Sequence, residues 1–304
     1  MLEVRNLCKN FDGKEILKDL SISFQPGSVY GLVGSNGAGK STLLRLICGV
    51  YTGNSGEIIL DDVSLFDNHE LMGKIAFVSD ELYFLPQSNM KRMAELYASS
   101  YPNFNRQRFE ELTKAFGLNP TKKISTFSKG MKRQAASILA MCSGAEYIFL
   151  DETFDGLDPV MRNLLKNVIY DDVTEKNTCV IITSHSLREL EDTCDKLALL
   201  HEGGIVFESD IDDLQTTLVK AQIAFGDSDF GKDKFKELNI LDYSKRGSVA
   251  NLIIRGSRED VNYTLSSMQP ILLDILPLSL EEVFIYELGS RGYSFDEYLG
   301  KKEG

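Results

Sequence analysis

The stretch GSNGAGKST (34–42) places three glycines and a lysine directly after the apolar run VYGLV (29–33). It fits the spacing G-x-x-x-x-G-K-S/T, with Gly34, Gly39, Lys40 and Ser41 at the defining positions. Residues without a Cβ let backbone N–H groups curl around a phosphate and approach it closely. A helix starting near Lys40 aims its first amides, and the positive end of its dipole, at the same anion. The whole loop is therefore a candidate nucleotide contact: Gly34, Ser35, Asn36, Gly37, Ala38, Gly39, Lys40, Ser41 and Thr42. Lys40 would reach the β- and γ-phosphates, and the Ser41 hydroxyl would ligate Mg²⁺. A plain glycine-rich turn before a helix is the alternative; the strand–loop–helix context and the adjacent Lys-Ser argue against it. Alone, the motif says only that a nucleoside triphosphate binds.

Breaking a phosphate needs more. YIFLDE (147–152) ends four apolar residues with Asp151 and Glu152. A carboxylate at such a strand end holds Mg²⁺ in phosphate-loop proteins. A second carboxylate one step further can orient and polarise a water for in-line attack. Without the phosphate loop, the pair would read as a solvated turn. His185 follows another apolar run, CVIITS (179–184). A lone histidine at a strand end is more often structural.

These residues need a scaffold. Strand-like runs fall at 29–33, 74–79, 147–151, 179–184 and 196–200, several of them apolar throughout, as strands covered on both faces are. Helical patterns occupy 40–49, 128–142, 159–170 and 186–194. The alternation predicts an α/β fold with a mostly parallel sheet. The N-terminal LEVRNLCKNF, LSISF and GEIILD alternate more like antiparallel strands, so a β-rich subdomain is expected beside it. Residues 86–125 read as a helical insertion. After 211 the order becomes strand (KAQIAF), helix (KDKFKEL), strand (SVANLIIRG), helix (REDVNYTLSSM), strand (PILLDIL) and a last helix, SLEEVFIYEL. That predicts two domains, a nucleotide-binding domain over 1–211 and a small α+β accessory domain over 212–304. Leu280, Val283, Phe284 and Leu288 fall on one face of the last helix, and the closing GYSFDEYLGKKEG is expected to be mobile.

Composition narrows the function classes. The 304 residues are 43% hydrophobic and 26% charged, with formal net charge −12. So acidic a chain is repelled by phosphodiester backbones and by anionic headgroups, so neither nucleic acid nor a lipid surface is the expected partner. MLEVRNLCKN lacks a signal-peptide pattern, and no window approaches a spanning helix. Attachment to a membrane would go through another protein. Cys8, Cys48, Cys142, Cys179 and Cys194 are scattered without a CxxC pair and read as buried reduced thiols.

The string TFSKGMKRQAASILAMCSGAEYIFLDETFDGLDP, followed by IITSH, resembles the ATP-binding-cassette (ABC) ATPases in motif order and approximate spacing, over roughly residues 1–208. The resemblance implies that FSKGM, with Ser128 and Gly130, caps a helix and contacts the γ-phosphate of ATP held by a second cassette. Read alone, FSKG is an ordinary helix cap. The resemblance further implies that Asp158 lies in the loop crossing the dimer interface, that His185 hydrogen-bonds the γ-phosphate, and that Phe11 stacks on adenine; Phe11 also suits a plain surface or core aromatic. Two departures stand out. Asp80, in VSDE, occupies the place of a glutamine that contacts Mg²⁺ and water, and SKGM replaces SGGQ.

The resulting expectation is a P-loop ABC ATPase subunit using ATP and Mg²⁺. Catalysis falls to Glu152, His185 and Lys40; the metal falls to Ser41, Asp80 and Asp151. Expected partners are a second ABC ATPase subunit, identical or not, and a separately encoded integral membrane permease. The form SKGM implies export, and the chain would sit at the inner face of the cell membrane. The region 82–116, with Tyr83 and Phe84, is the expected docking segment, or those aromatics pack internally. Other readings are an ABC ATPase of translation or DNA repair, and a nucleotide-gated switch or sensor with low turnover.

Overall fold

The computed structural model describes residues 1–227 and 229–290. Two compact units emerge, Met1–Glu208 and Ser209–Gly304.

The first unit begins with an antiparallel ribbon, β1 (Leu2–Phe11) and β2 (Lys14–Phe24). Asp12 and Gly13 both have positive φ, 49° and 84°, as a two-residue hairpin turn matched to strand twist requires. Then follow β3 (Val29–Val33), α1 (Lys40–Ile47), β4 (Ser55–Leu60), β5 (Val63–Ser64), α2 (His69–Met72) and β6 (Ile75–Val78). A helical stretch comes next: α3 (Met90–Ser100), α4 (Arg106–Ala115), a 3₁₀ turn (Ile124–Thr126) and α5 (Lys129–Met141). The unit closes with β7 (Tyr147–Asp151), α6 (Pro159–Lys176), β8 (Cys179–Ser184), α7 (Leu187–Glu191), β9 (Lys196–His201) and β10 (Gly204–Asp210).

Two sheets result. One has the order β2-β1-β4-β5, with every pairing antiparallel. The other has the order β10-β9-β3-β8-β7-β6, in which β9, β3, β8, β7 and β6 pair in parallel. All residues of β3, β7 and β8 are buried, which is why those segments read as unbroken apolar runs. Leu2, Phe24, Leu44, Phe149, Ile181 and Leu200 help form one core shared by both sheets and α1. Register pairs Val33 with Ser184 and Asp151 with Thr183, so the carboxyl ends of β3, β8 and β7 form one row. In parallel α/β sheets ligands bind along that edge.

Side-chain caps fix where the helices start. Asn89, Asn105 and Ser128 accept hydrogen bonds from the N–H groups of Arg92, Arg108 and Met131. Helix α6 runs further than the expected 159–170, to Lys176, and ends at Asn177 in the left-handed conformation (φ 57°). Helix α7 is shorter than expected. Strand β10 has no counterpart in the sequence reading, since EGG before it looks like a plain loop.

The second unit holds α8 (Ile211–Thr217), β11 (Leu218–Ala224), a 3₁₀ turn (Lys232–Phe235), β12 (Asn239–Arg246), β13 (Val249–Arg255), α9 (Arg258–Ser267), β14 (Leu272–Leu276) and α10 (Leu280–Ser290). Its sheet has the order β12-β13-β11-β14 and is antiparallel throughout. The expected helix KDKFKEL forms only the single 3₁₀ turn. So short a segment cannot repay helix nucleation, and its energy lies in burying Phe235 beside Phe225 and Phe230. Leu280, Val283 and Phe284 are buried; the Leu288 side chain and the closing residues 291–304 lie outside the described residues.

All five cysteines are free. Cys142, Cys179 and Cys194 are buried as expected, whereas Cys8 and Cys48 are only half-buried. Among the described residues no helix is long and apolar enough to cross a membrane.

Candidate functional site: a phosphate cradle backed by a carboxylate network

The loop 34–39 connects β3 to α1 and turns tightly against its surroundings. Gly39 has φ 112°, and a Cβ there would lie 2.6 Å from Leu17 Cδ2. A Cβ on Gly34 would lie 2.5 Å from the Leu200 carbonyl oxygen. Neither position accepts a side chain without moving the loop. Helix α1 has no side-chain cap, so its first amides are left for a ligand. Ser35, Ser41 and Thr42 are half-buried, Asn36 and Gly37 exposed, and Ala38 buried.

Lys40 is buried, and its Nζ donates to the Gly34 carbonyl at 2.6 Å. Burial lowers its pKa, while the Glu152 and Asp151 carboxylates pull it back up. A bound polyphosphate would supply the missing negative charge and favour the ammonium form.

Asp151 ends β7 with no exposed surface. Its Oδ1 accepts from Ser41 Oγ at 3.1 Å and from Thr183 Oγ1 at 2.6 Å. Its Oδ2 is buried with no hydrogen-bond partner. An orphaned carboxylate oxygen beside a serine hydroxyl is the hard-oxygen donor set that Mg²⁺ uses, and the pair fits that ion.

Glu152 has φ 48°, a left-handed conformation uncommon for a residue with a side chain. Its N–H donates to Thr183 Oγ1 at 2.9 Å, and its carbonyl accepts from the Arg133 guanidinium. His185 Nδ1 lies 3.9 Å from Glu152 Oε2 and 3.7 Å from Asp155 Oδ2. The row of strand ends thus brings together Lys40, Ser41, Asp151, Glu152 and His185.

Other expected residues are placed differently. Asp80, expected at the metal, has its Oδ1 2.6 Å from Nη2 of buried Arg133. Ser128 caps α5, and Gly130 comes so close to the loop after β7 that a Cβ there would lie 2.9 Å from the Gly156 carbonyl oxygen. Asp158 caps α6, its Oδ1 accepting from the N–H groups of Val160 and Met161. Phe11 is 38% exposed at the end of β1, edge-on to Tyr51 and with Lys9 Nζ 4.7 Å from its ring centre. Tyr83 is exposed and Phe84 half-buried.

Sequence reading missed Thr183, Asp155 and Arg133. Thr183 was detectable as the only polar residue inside CVIIT, aligned with the strand of Asp151. Asp155 stands three residues after Glu152. Arg133 carried no signal, because a basic residue one turn into a helix is ordinarily solvated.

A parallel sheet bearing a phosphate loop, a buried magnesium-type aspartate and a second carboxylate defines a P-loop nucleotide-binding protein. The sequence profile described as ABC transporter matches residues 17–155. Over 96% of this chain and 99% of the relative, the sequence is 32% identical to the ABC transporter ATP-binding protein YtrB of Bacillus subtilis. It is 28% identical to the bacitracin transport ATP-binding protein BcrA of Bacillus licheniformis, over 71% of each chain. Among solved structures, an ATP-binding subunit of an ABC transporter superposes with TM-score 0.66 at 25% identity, over 71% of this chain and 92% of that one. A dimeric cassette in a post-hydrolysis state with ADP and phosphate superposes with TM-score 0.63 at 20% identity, over 69% and 99%. The chain belongs to the ABC transporter ATP-binding proteins, a family of ATPases.

Proposed function

We propose that this chain is the ATPase subunit that powers a separately encoded membrane permease, working in the export direction, from the inner face of the membrane. The observation that carries the ATPase part is the network at the strand ends, where Ser41, Asp151, Thr183 and Glu152 are joined in one chain of hydrogen bonds. The names of relatives such as the bacitracin transport protein support the transport part.

ATP sits on the phosphate loop, with Lys40 and the first amides of α1 balancing its charge and Phe11 offered to the adenine. Ser41 and Asp151 would hold Mg²⁺, which when bound neutralises phosphate charge. Glu152 accepts a proton from the attacking water, and His185 steadies the γ-phosphate beside it. Ser128, Gly130 and Asp158 of a second cassette close over the same nucleotide. Closure moves the permease and hydrolysis reopens the pair. The exposed Tyr83 and the half-buried Phe84 form the docking segment.

The test is affinity capture of the chain from its native membranes, followed by ATPase assay of what is captured. An integral membrane chain in stoichiometric amount, lost in Tyr83→Ala/Phe84→Ala while ATP hydrolysis persists, is the expected result. Full ATPase activity with no membrane chain attached in the wild type would refute coupling to a permease.

A further inference from the structure

Glu152 occupies a left-handed backbone conformation, which is unfavourable for a residue bearing a Cβ. Such a conformation persists only where the surroundings over-determine it. Two bonds do so here. Thr183 Oγ1 accepts from the Glu152 N–H, and the Arg133 guanidinium donates to the Glu152 carbonyl. The first bond reaches back through Asp151 to Ser41. The second comes from α5, the helix capped by Ser128.

Arg133 is 2% exposed, and a buried cation without an anion is strongly disfavoured. Asp80, in the loop after β6, supplies that anion at 2.6 Å. One guanidinium on α5 therefore bridges two other segments, the turn after β7 and the loop after β6. Nothing else on α5 is bonded to Glu152 among the described residues. The direction of the Glu152 side chain follows from its φ and ψ, since χ1 preferences depend on the backbone.

We propose that Arg133, charge-balanced by Asp80, is a positioning residue for hydrolysis: it fixes the backbone of Glu152 so that the carboxylate faces the attacking water. The Arg133 guanidinium is bonded to no residue of the phosphate loop. Its loss misdirects the base and leaves the phosphate cradle intact. The inference rests on the reading of Glu152 as the group that polarises water.

The experiment compares purified full-length Arg133→Lys and Arg133→Gln with wild type, in steady-state kinetics and in binding of a fluorescent ATP analogue. Lysine keeps the charge beside Asp80 but is too short and too compact to reach the Glu152 carbonyl as well. Misplacement of a catalytic group costs about 100-fold, so both variants should lose about 10- to 100-fold in kcat with KM and analogue affinity within about twofold. The same substitutions are then made in Glu152→Gln, and residual hydrolysis is followed in a single turnover. With the base removed there is nothing left to position, and the residual rate should stay within about twofold. Wild-type kcat in Arg133→Lys, a loss confined to KM, or an equal fold loss in both backgrounds would each overturn the proposal. Failure of the underlying reading shows separately, as near-wild-type turnover in Glu152→Gln alone.

Discussion

The two units of this chain differ in what they bury. In the first, Lys40, Arg133, Asp151, Asp172 and Thr183 all lie out of solvent. In the second, the sheet and α9 close over Val219, Ile223, Phe235, Leu252, Ile254 and Leu265, and Glu287 is the one buried polar residue among those described. Burying polar groups costs free energy unless they are fully paired, and Asp151 Oδ2 is not. The first unit therefore keeps groups that its own stability does not ask for, a mark of sites shaped by chemistry. The second buries fewer polar groups among the described residues, with the Tyr243 hydroxyl its one buried side-chain atom without a hydrogen-bond partner there.

The sharpest way to break that contrast is Glu152→Gln. General-base removal should lower turnover by roughly 10²–10⁴-fold while leaving ATP binding in place. Closure is retained and reopening lost, so an ATP-bound dimer should accumulate, visible by sedimentation with and without ATP. Hydrolysis near the wild-type rate would mean that the strained carboxylate has no chemical task.

Asp80→Ala is the next largest. It strips the anion from buried Arg133, and Asp80 itself is 44% exposed at its side chain, so solvent screens much of the pair. The fully buried cost of 3–5 kcal/mol should shrink to about 1–2 kcal/mol of stability. ATPase activity should fall more than nucleotide affinity does. Asp80→Gln should be better tolerated than Asp80→Ala, because an amide oxygen still accepts from the guanidinium. Thermal unfolding and paired binding and rate measurements separate the three chains; equal behaviour of the alanine and glutamine variants would show that the pair is incidental.

How much of this was legible in the sequence also divides along the contrast. The phosphate loop, Asp151, Glu152 and the apolar parallel strands announce themselves because each is a local pattern, four to nine residues with a fixed backbone consequence. Arg133 does not, because its meaning is a meeting with Asp80 and Glu152, 53 and 19 residues away. Thr183 is similar, meaningful only through the register that sets it opposite Asp151. In the second unit the missed element was β12. Its NILDYSKR alternates exposed and half-buried positions along the edge of a sheet, so it carries charge where a strand is usually recognised by β-branched residues. Parallel strands are buried on both faces and therefore conspicuous; edge strands are polar by design and therefore quiet.

A smaller effect is expected from ending the chain at residue 211, which keeps β10 whole. The phosphate loop and the strand-end network all precede that point, so ATP binding should be unchanged. If the C-terminal unit holds two subunits near each other in the absence of ATP, the shortened chain should show ATPase activity that depends more steeply on its own concentration. Sedimentation and rate assays over a dilution series read this directly. The same association state and the same concentration dependence in both chains would remove dimerisation from the role of that unit.

A last contrast concerns protons, and there the two units should move in opposite directions. In the first, burial pushes the Asp172 carboxyl up to about 6 from an ordinary 3.8, outweighing Arg108, whose Nη1 lies 2.5 Å away. A folded-state pKa above the unfolded one means that the associated stability is whole below about pH 4 and is lost as pH rises through about 6. In the second, burial also disfavours the Glu282 carboxylate, but hydrogen bonds from Lys220 and from the Ser279 backbone prevail and hold its pKa below 4.5. Its stability is present above the unfolded value and is lost as pH falls through the depressed one. Unfolding temperatures of Asp172→Asn and Glu282→Gln, each measured against wild type from pH 4 to 7, carry the test. With rising pH the wild type should lose ground against Asp172→Asn, by up to about 3 kcal/mol at 1.36 kcal/mol per pKa unit, and gain a smaller amount against Glu282→Gln. Slopes of the same sign would mean that Arg108 and Lys176, whose Nζ lies 2.6 Å from Asp172 Oδ1, keep Asp172 ionised in spite of its burial, and that the polarity of the first unit is better compensated away from the nucleotide site than beside it.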